Sequence, residues 1–181
     1  GFIATHLETG FQWPLGVWEA PLNKREAEDW EVPEREVDMC LALAFDTYQV
    51  VRVYADPPWW EDVVARWRGK YGEKIVTEWW THRDRQIAFA LRAYRTAMSG
   101  GELSQSGDEA FARHIAQAVK RSARAKDDEG KPMWTIQKDR HDSPRKIDLA
   151  MAGCLSWEAR RDAIAAGQNK PKKKSKMLIL R

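Results

Sequence analysis

The stretch VVRVYADPPWW, Val50–Trp60, decides the fold. Its β-branched and aromatic run predicts a buried strand, and that strand ends on Asp56, followed by two prolines and two tryptophans. Pro57 fixes its own φ and biases Asp56 toward extended geometry, so the carboxylate is held in place as the chain leaves the sheet. Sites in open α/β sheets form beyond the carboxyl ends of strands, which makes Asp56 the first candidate site residue. Aspartate is also a favoured N-cap and proline a favoured first helical residue, so a role in capping the next helix stands beside the first reading.

Working outward, FIATHLE and FQWPLGVWEA read as two strands of a hairpin joined at Thr9-Gly10, with Pro14 placing the second near an edge or a bulge. Val37, Cys40, Leu41, Ala44 and Phe45 form one apolar helical stripe after Pro33, and Trp60, Val63, Val64, Trp67 and Tyr71 form another, stopped by Gly72. KIVTEWW is a strand. A helix from about Asp84 to Met98, with Ile87, Ala90, Leu91 and Tyr94 inward, closes at Gly100-Gly101. A further helix is expected across SQSGDEAFARHIAQAVKRSARAK, capped by Ser106 or Asp108, with Phe111, Ile115 and Val119 inward. PMWTIQK reads as a strand, and a last helix is expected from Pro144 to about Ala166, with Ile147, Met151, Leu155 and Ile164 inward. Strands alternating with helices of this length predict an α/β fold, a mixed sheet with helices on both faces.

The length of 181 residues predicts one domain, 1–167, followed by a basic tail, 168–181, expected to be disordered. Thirty Lys and Arg oppose 27 Asp and Glu, but six basic residues lie in Lys170–Arg181, leaving 24 against 27 elsewhere. The body is therefore slightly acidic, and attraction to polyanions falls to the tail or to local patches. No apolar run approaches the roughly 18 residues of a membrane span, so no membrane partner is expected. Cys40 and Cys154 form no ligand cluster. The opening at Gly1, directly into strand-like sequence, leads us to expect the carboxyl-terminal part of something longer.

Asp148, in SPRKIDLAMAGCLSWEA, is the second candidate, an acid in the first turn of an apolar, small-residue helix. Asp139 and Asp142 lie nearby on a loop and are weaker candidates. Two carboxylates from a strand end and a late helix are hard oxygen ligands of the kind that hold Mg²⁺ or Mn²⁺ with substrate phosphates. Two such ions about 3.5–4 Å apart activate a water and stabilise the leaving oxygen of a phosphodiester. Serine-hydrolase, zinc-protease, dinucleotide and phosphate-loop motifs are absent from the sequence. His114 reads as packed or exposed rather than catalytic, and Trp60, Trp67 and Trp157 as packing residues. Arg113, Lys120, Arg121 and Arg124 are candidate DNA-backbone contacts along the helix after Gly107, with a solvated helix face as the alternative.

VYADPPWWEDVVARW, GELSQSGDEAFARHIAQA and SPRKIDLAMAGCLSWEAR, in this order and spacing, resemble the C-terminal nuclease domain of the large terminase subunit of tailed bacteriophages. The resemblance covers nearly all of residues 1–167 and is most specific at the strand-end ADP and the KID that opens the last helix. It implies an RNase H-like fold, a DNA endonuclease using two divalent metals to cut concatemeric viral DNA, and an upstream ATPase domain. It also implies partnership with double-stranded DNA, the portal and the small terminase subunit, in the cytoplasm of the bacterial host. Asp56 matches the second family carboxylate and Asp148 the third. The first belongs at the end of an opening strand before Gly1, so the fold is expected to lack its N-terminal strand here and isolated activity to be impaired. Two rivals remain: another RNase H-like nuclease or recombinase, and a non-catalytic docking module for DNA or the portal.

Overall fold

A computed structural model describes residues 1–21, 23–140 and 143–169. The chain is a mixed α/β protein in which short strands are interspersed with helices. β1 (Phe2–Thr5) and β2 (Phe11–Gly16) form the expected antiparallel hairpin. Gly10 turns it at φ +73°, where an added Cβ would sit 2.4 Å from the Glu102 carbonyl oxygen and 3.0 Å from the Trp157 ring. Of the two expected settings Pro14 has the bulge and not the edge, since β2 is the middle strand of the order β1-β2-β5, with β5 at Ser104–Gln105. It is tolerated because β5 pairs only with Phe11 and Gln12, and because the β1–β2 register shifts between Phe2 and Ile3.

After the short helix α1 (Lys24–Glu28) comes α2 (Glu34–Thr47), which buries Val37, Leu41 and Ala44 from the expected stripe. β3 (Val53–Ala55) follows, then α3 (Glu61–Tyr71), which ends at Gly72 as expected and buries Val63, Val64 and Trp67. β4 (Val76–Glu78) pairs in parallel with β3. α4 (Asp84–Gly100) closes on the left-handed Gly101, and α5 (Glu109–Gln117) starts at Asp108, whose carboxylate accepts the Phe111 N–H at 2.8 Å.

The long helix expected after Gly107 stops at Gln117. Residues Val119–Lys126 form β6, paired antiparallel with β7 (Pro132–Gln137), and Val119 is 43% exposed rather than inward. Beyond Ile115 the helical apolar spacing continues only weakly, through Val119 and the small Ala123. Ala123 and Ala125 instead alternate with charged residues, a strand's period that β7 can exploit. The last helix, α6 (Asp148–Ala165), also begins four residues later than expected, with Ile147 at its N-cap. It buries Leu149, Ala150, Gly153, Cys154, Leu155, Trp157, Ala159 and Ala163, and its first half, 149–157, is apolar almost all round and runs through the core.

The single mixed sheet expected from the sequence is, among the described residues, three small ones: β1-β2-β5, β3-β4 and β6-β7. β1 and β3 nevertheless share two helical layers. Phe2, Val53 and Ala55 pack in the cluster with Val37, Leu41, Val64 and Trp67 of α2 and α3. On the opposite face Ile3 packs with Leu149, the Thr5 hydroxyl meets Ser156, and Tyr54 hydrogen-bonds Asp162. The tail expected at 168–181 lies outside the described residues from position 170 onward.

Candidate active site

Asp56 follows the last residue of β3 and so leaves the parallel pair β3–β4 at its carboxyl end. Pro57 is fully buried, and its carbonyl accepts the Trp60 N–H at 2.7 Å, which pins the turn. Trp60 occupies the N-cap of α3, so the helix-capping alternative for Asp56 fails. The Asp56 carboxylate instead accepts the Thr81 backbone N–H on Oδ1 at 3.1 Å and the Thr81 hydroxyl on Oδ2 at 2.5 Å, tying the loop after β4 to the end of β3. A carboxylate has about four acceptor positions, so two bonds leave capacity for another ligand.

Asp148 is the first residue of α6 and is exposed, where the helix dipole favours negative charge. Asp56 and Asp148 line the same cavity of about 1180 Å³, between β1 and β3 and between the layers of α2 and α6. Asp139 does not line it. Asp139 pairs with Arg145 at 3.4 Å, and the Ser143 hydrogen bond and the Arg145 charge hold its carboxyl below the usual range. Asp142 lies outside the described residues.

The four basic candidates do not share one helix. Arg113, on α5, is engaged by Glu19 at 2.7 Å. Lys120, Arg121 and Arg124 are exposed on β6, a two-stranded ribbon with β7. The Lys120 ammonium lies 4.5 Å from the Trp134 ring centroid, and Arg121 is 3.9 Å from Asp84. Trp67 and Trp157 are buried, and Trp60 packs partly against the same cluster as Trp67, as their spacing predicts. Its neighbour Trp59 does the opposite, being 95% exposed at φ +69° on the loop that carries Asp56. A left-handed backbone is uncommon for a bulky non-glycine residue, and sequence gave no signal for it beyond the PPWW run itself.

Sequence reasoning also missed what His114 does. It is 1% exposed; its Nδ1 accepts the Leu149 N–H at 3.0 Å and its Nε2 meets Glu19 Oε1 at 2.5 Å. With Nδ1 accepting, Nε2 carries the proton and donates it to the carboxylate. His114 thereby fixes the first turn of α6, one residue from Asp148. Partial burial opposes the charge on Glu19, but hydrogen bonds from His114 and Arg113 outweigh it and hold its pKa below the usual glutamate value. A depressed folded-state pKa contributes stability above the unfolded value that is lost as pH falls through the folded one. Wild type should therefore exceed Glu19→Gln in urea-unfolding stability above about pH 4.5, with the gap closing as pH drops further. A gap that stays constant down to pH 3 would mean the carboxylate charge is not what His114 and Arg113 recognise.

The arrangement defines an α/β protein with two carboxylates at one cavity. No family model and no solved structure matches the chain. It is 24% identical over 169 residues to the Gene 13 protein of Mycobacterium phage L5 and 25% identical over the same length to that of Mycobacterium phage D29. Each alignment covers 88% of this chain and 27% of the relative, so the chain spans about a quarter of the length of the curated relatives it matches. Among the described residues no helix is long and apolar enough to cross a membrane, and no group of three or more His, Cys, Asp or Glu is placed to hold a metal ion.

Proposed function

We propose that this chain is the metal-dependent DNA endonuclease domain of a phage packaging terminase large subunit, acting on double-stranded DNA in the bacterial host. The observation that carries the reading is the placement of Asp56, at a strand's carboxyl end, and Asp148, at a helix start, on one cavity. Relatives from two phages are consistent with it. Mg²⁺ commonly binds through one or two carboxylates plus substrate phosphates, so Asp56 and Asp148 are donors of the type such an ion takes, and a two-ion site needs a further ligand. When bound, the metal supplies charge stabilisation and an activated water for phosphodiester hydrolysis. The chain's own contribution is to hold the carboxylates: Thr81 orients Asp56, and His114 anchors the α6 turn beside Asp148. The exposed cations of β6 supply sequence-independent phosphate contacts. The upstream ATPase, portal and small-subunit partnerships belong to the same proposal.

One observation favours a second reading, a non-catalytic DNA or portal docking module: both oxygens of Asp56 already serve Thr81. Titration calorimetry with Mn²⁺ separates the two. The nuclease reading expects weak saturable binding to Gly1–Arg181, weakened about tenfold or more by Asp56→Asn or by Asp148→Asn. Absent binding, or binding indifferent to both substitutions, would leave the docking module.

A further inference from the structure

The cavity between β1 and β3 has walls of two kinds, and the second kind is backbone. β1 pairs with β2 only, and β3 with β4 only, so among the described residues the facing edge of each strand has no strand partner. Both edges line the cavity, as do Gly1–Glu8 and Val50–Asp56 around them. Edge N–H and C=O groups require partners, and an apolar cavity supplies few. Above and below, the slot is closed by side chains: Met151, Ala152 and Leu155 of α6 on one face, Leu41, Val64 and Trp67 of α2 and α3 on the other.

Contacts along α6 give the directions of the two strands. Gly1 sits against Leu149, Thr5 meets Ser156, and Arg160 Nε donates to the Leu7 carbonyl, so β1 runs with α6. Arg52 reaches Gln168 and Tyr54 reaches Asp162, so β3 runs against it. β1 and β3 are thus antiparallel across the slot, and a strand laid between them is parallel to one and antiparallel to the other.

We propose that this slot binds one extended polypeptide strand of about five residues, apolar on both faces, antiparallel to β1 and parallel to β3. Only a peptide offers alternating donors and acceptors to both edges at once, and cover on both faces demands a continuous apolar run rather than an alternating one. Gly1 lies at one end of the slot, so a strand joined to it through a tight turn enters in this orientation, with its carboxyl end on the side of Leu149 and Asp148. The inserted strand would join the two sheets into one, in the order β5-β2-β1-insert-β3-β4. The proposal does not depend on a nuclease function, and its failure leaves the Mn²⁺ result untouched.

The test fuses a designed Val/Ile pentapeptide to Gly1 of the full chain through an Asn-Gly turn. Expected are a rise in Tm of about 5 °C or more and slowed amide hydrogen exchange in both Phe2–Thr5 and Val53–Ala55. A fusion with proline at the central position, which removes a ladder donor, should show neither. If the fusion does not fold, the labelled free pentapeptide added to the unmodified chain should raise fluorescence anisotropy where its proline form does not. Equal behaviour of the Val/Ile and proline forms overturns the proposal, as does protection of β1 without β3. Protection by a long-chain fatty acid but not by the strand would assign the cavity to a small apolar ligand and overturn it too.

Discussion

Asp148→Asn, placed in a longer polypeptide that contains this chain, should under the proposed nuclease reading lower Mn²⁺-dependent cutting of plasmid DNA by about a hundredfold or more, a loss of roughly 3 kcal/mol or more in transition-state stabilisation. The same substitution should leave folding nearly unchanged. Asp148 is exposed and its ordinary structural contribution is a charge on a helix N-terminus, worth about 0.3–1 kcal/mol. Asp56→Asn should abolish cutting to the same degree but also cost about 1 kcal/mol, because the amide nitrogen cannot accept the second Thr81 hydrogen bond. Thr81→Val provides the control, since it removes only the bond from the hydroxyl that orients Asp56. Gel assays of nicking and linearisation, paired with thermal melts, read both quantities. Undiminished cutting by both aspartate variants would reduce Asp56 to a clamp on the β4 loop and Asp148 to a dipole partner.

Gly153→Val should be the most damaging single change to stability. An added Cβ there would lie 2.5 Å from the Tyr94 hydroxyl and 2.9 Å from Phe111 Cζ, both buried side chains that cannot swing out. The close approach also serves a polar network. Fully buried Gln12 donates through Nε2 to the Gly153 carbonyl and the Thr5 hydroxyl, each at 2.9 Å, and its Oε1 accepts from Tyr94 at 2.8 Å. Pushing α6 away overpacks the core and strands these groups, for about 3–5 kcal/mol together, or a fall in Tm of about 10 °C. Gly69, on the exposed side of α3 with nothing within 4 Å of its Cβ position, gives the opposite sign. Gly69→Ala should raise Tm by about 2 °C through helix propensity alone. Differential scanning calorimetry of the two variants checks the pair, and similar shifts of one sign would contradict the packing described for α6.

What could be read from sequence follows which interactions are local. The stripes of α2 and α3, the stop at Gly72 and the Asp108 cap depend on residues within a turn or two of each other, and the structure has them where spacing puts them. β6 reads as helix in the sequence because Phe111, Ile115 and Val119 share a helical face and KRSARAK has good helix formers, while the partner that makes it a strand, β7, begins six residues past its end. Asp56 and Asp148 stood out because proline and an apolar helix flank them. Glu19 did not, since its partner His114 lies 95 positions away and nothing in either neighbourhood marks the pairing. The division into three sheets was illegible for the same reason: strand order is a long-range property that single segments do not carry.

The central position of α6 has a consequence for how the chain is made. Its hydrogen bonds to β1 and β2 span 151 and 141 residues, and its apolar surface completes the clusters that hold Tyr94 and Phe111. During vectorial synthesis the hairpin, α4 and α5 emerge with their inward faces bare, and they stay bare until residues 148–165 leave the ribosome. Loop closures of that length come late and slowly. For most of its translation, then, the chain exposes apolar surface of the kind that favours aggregation, and its yield is expected to respond to whatever in the cell shields such surface.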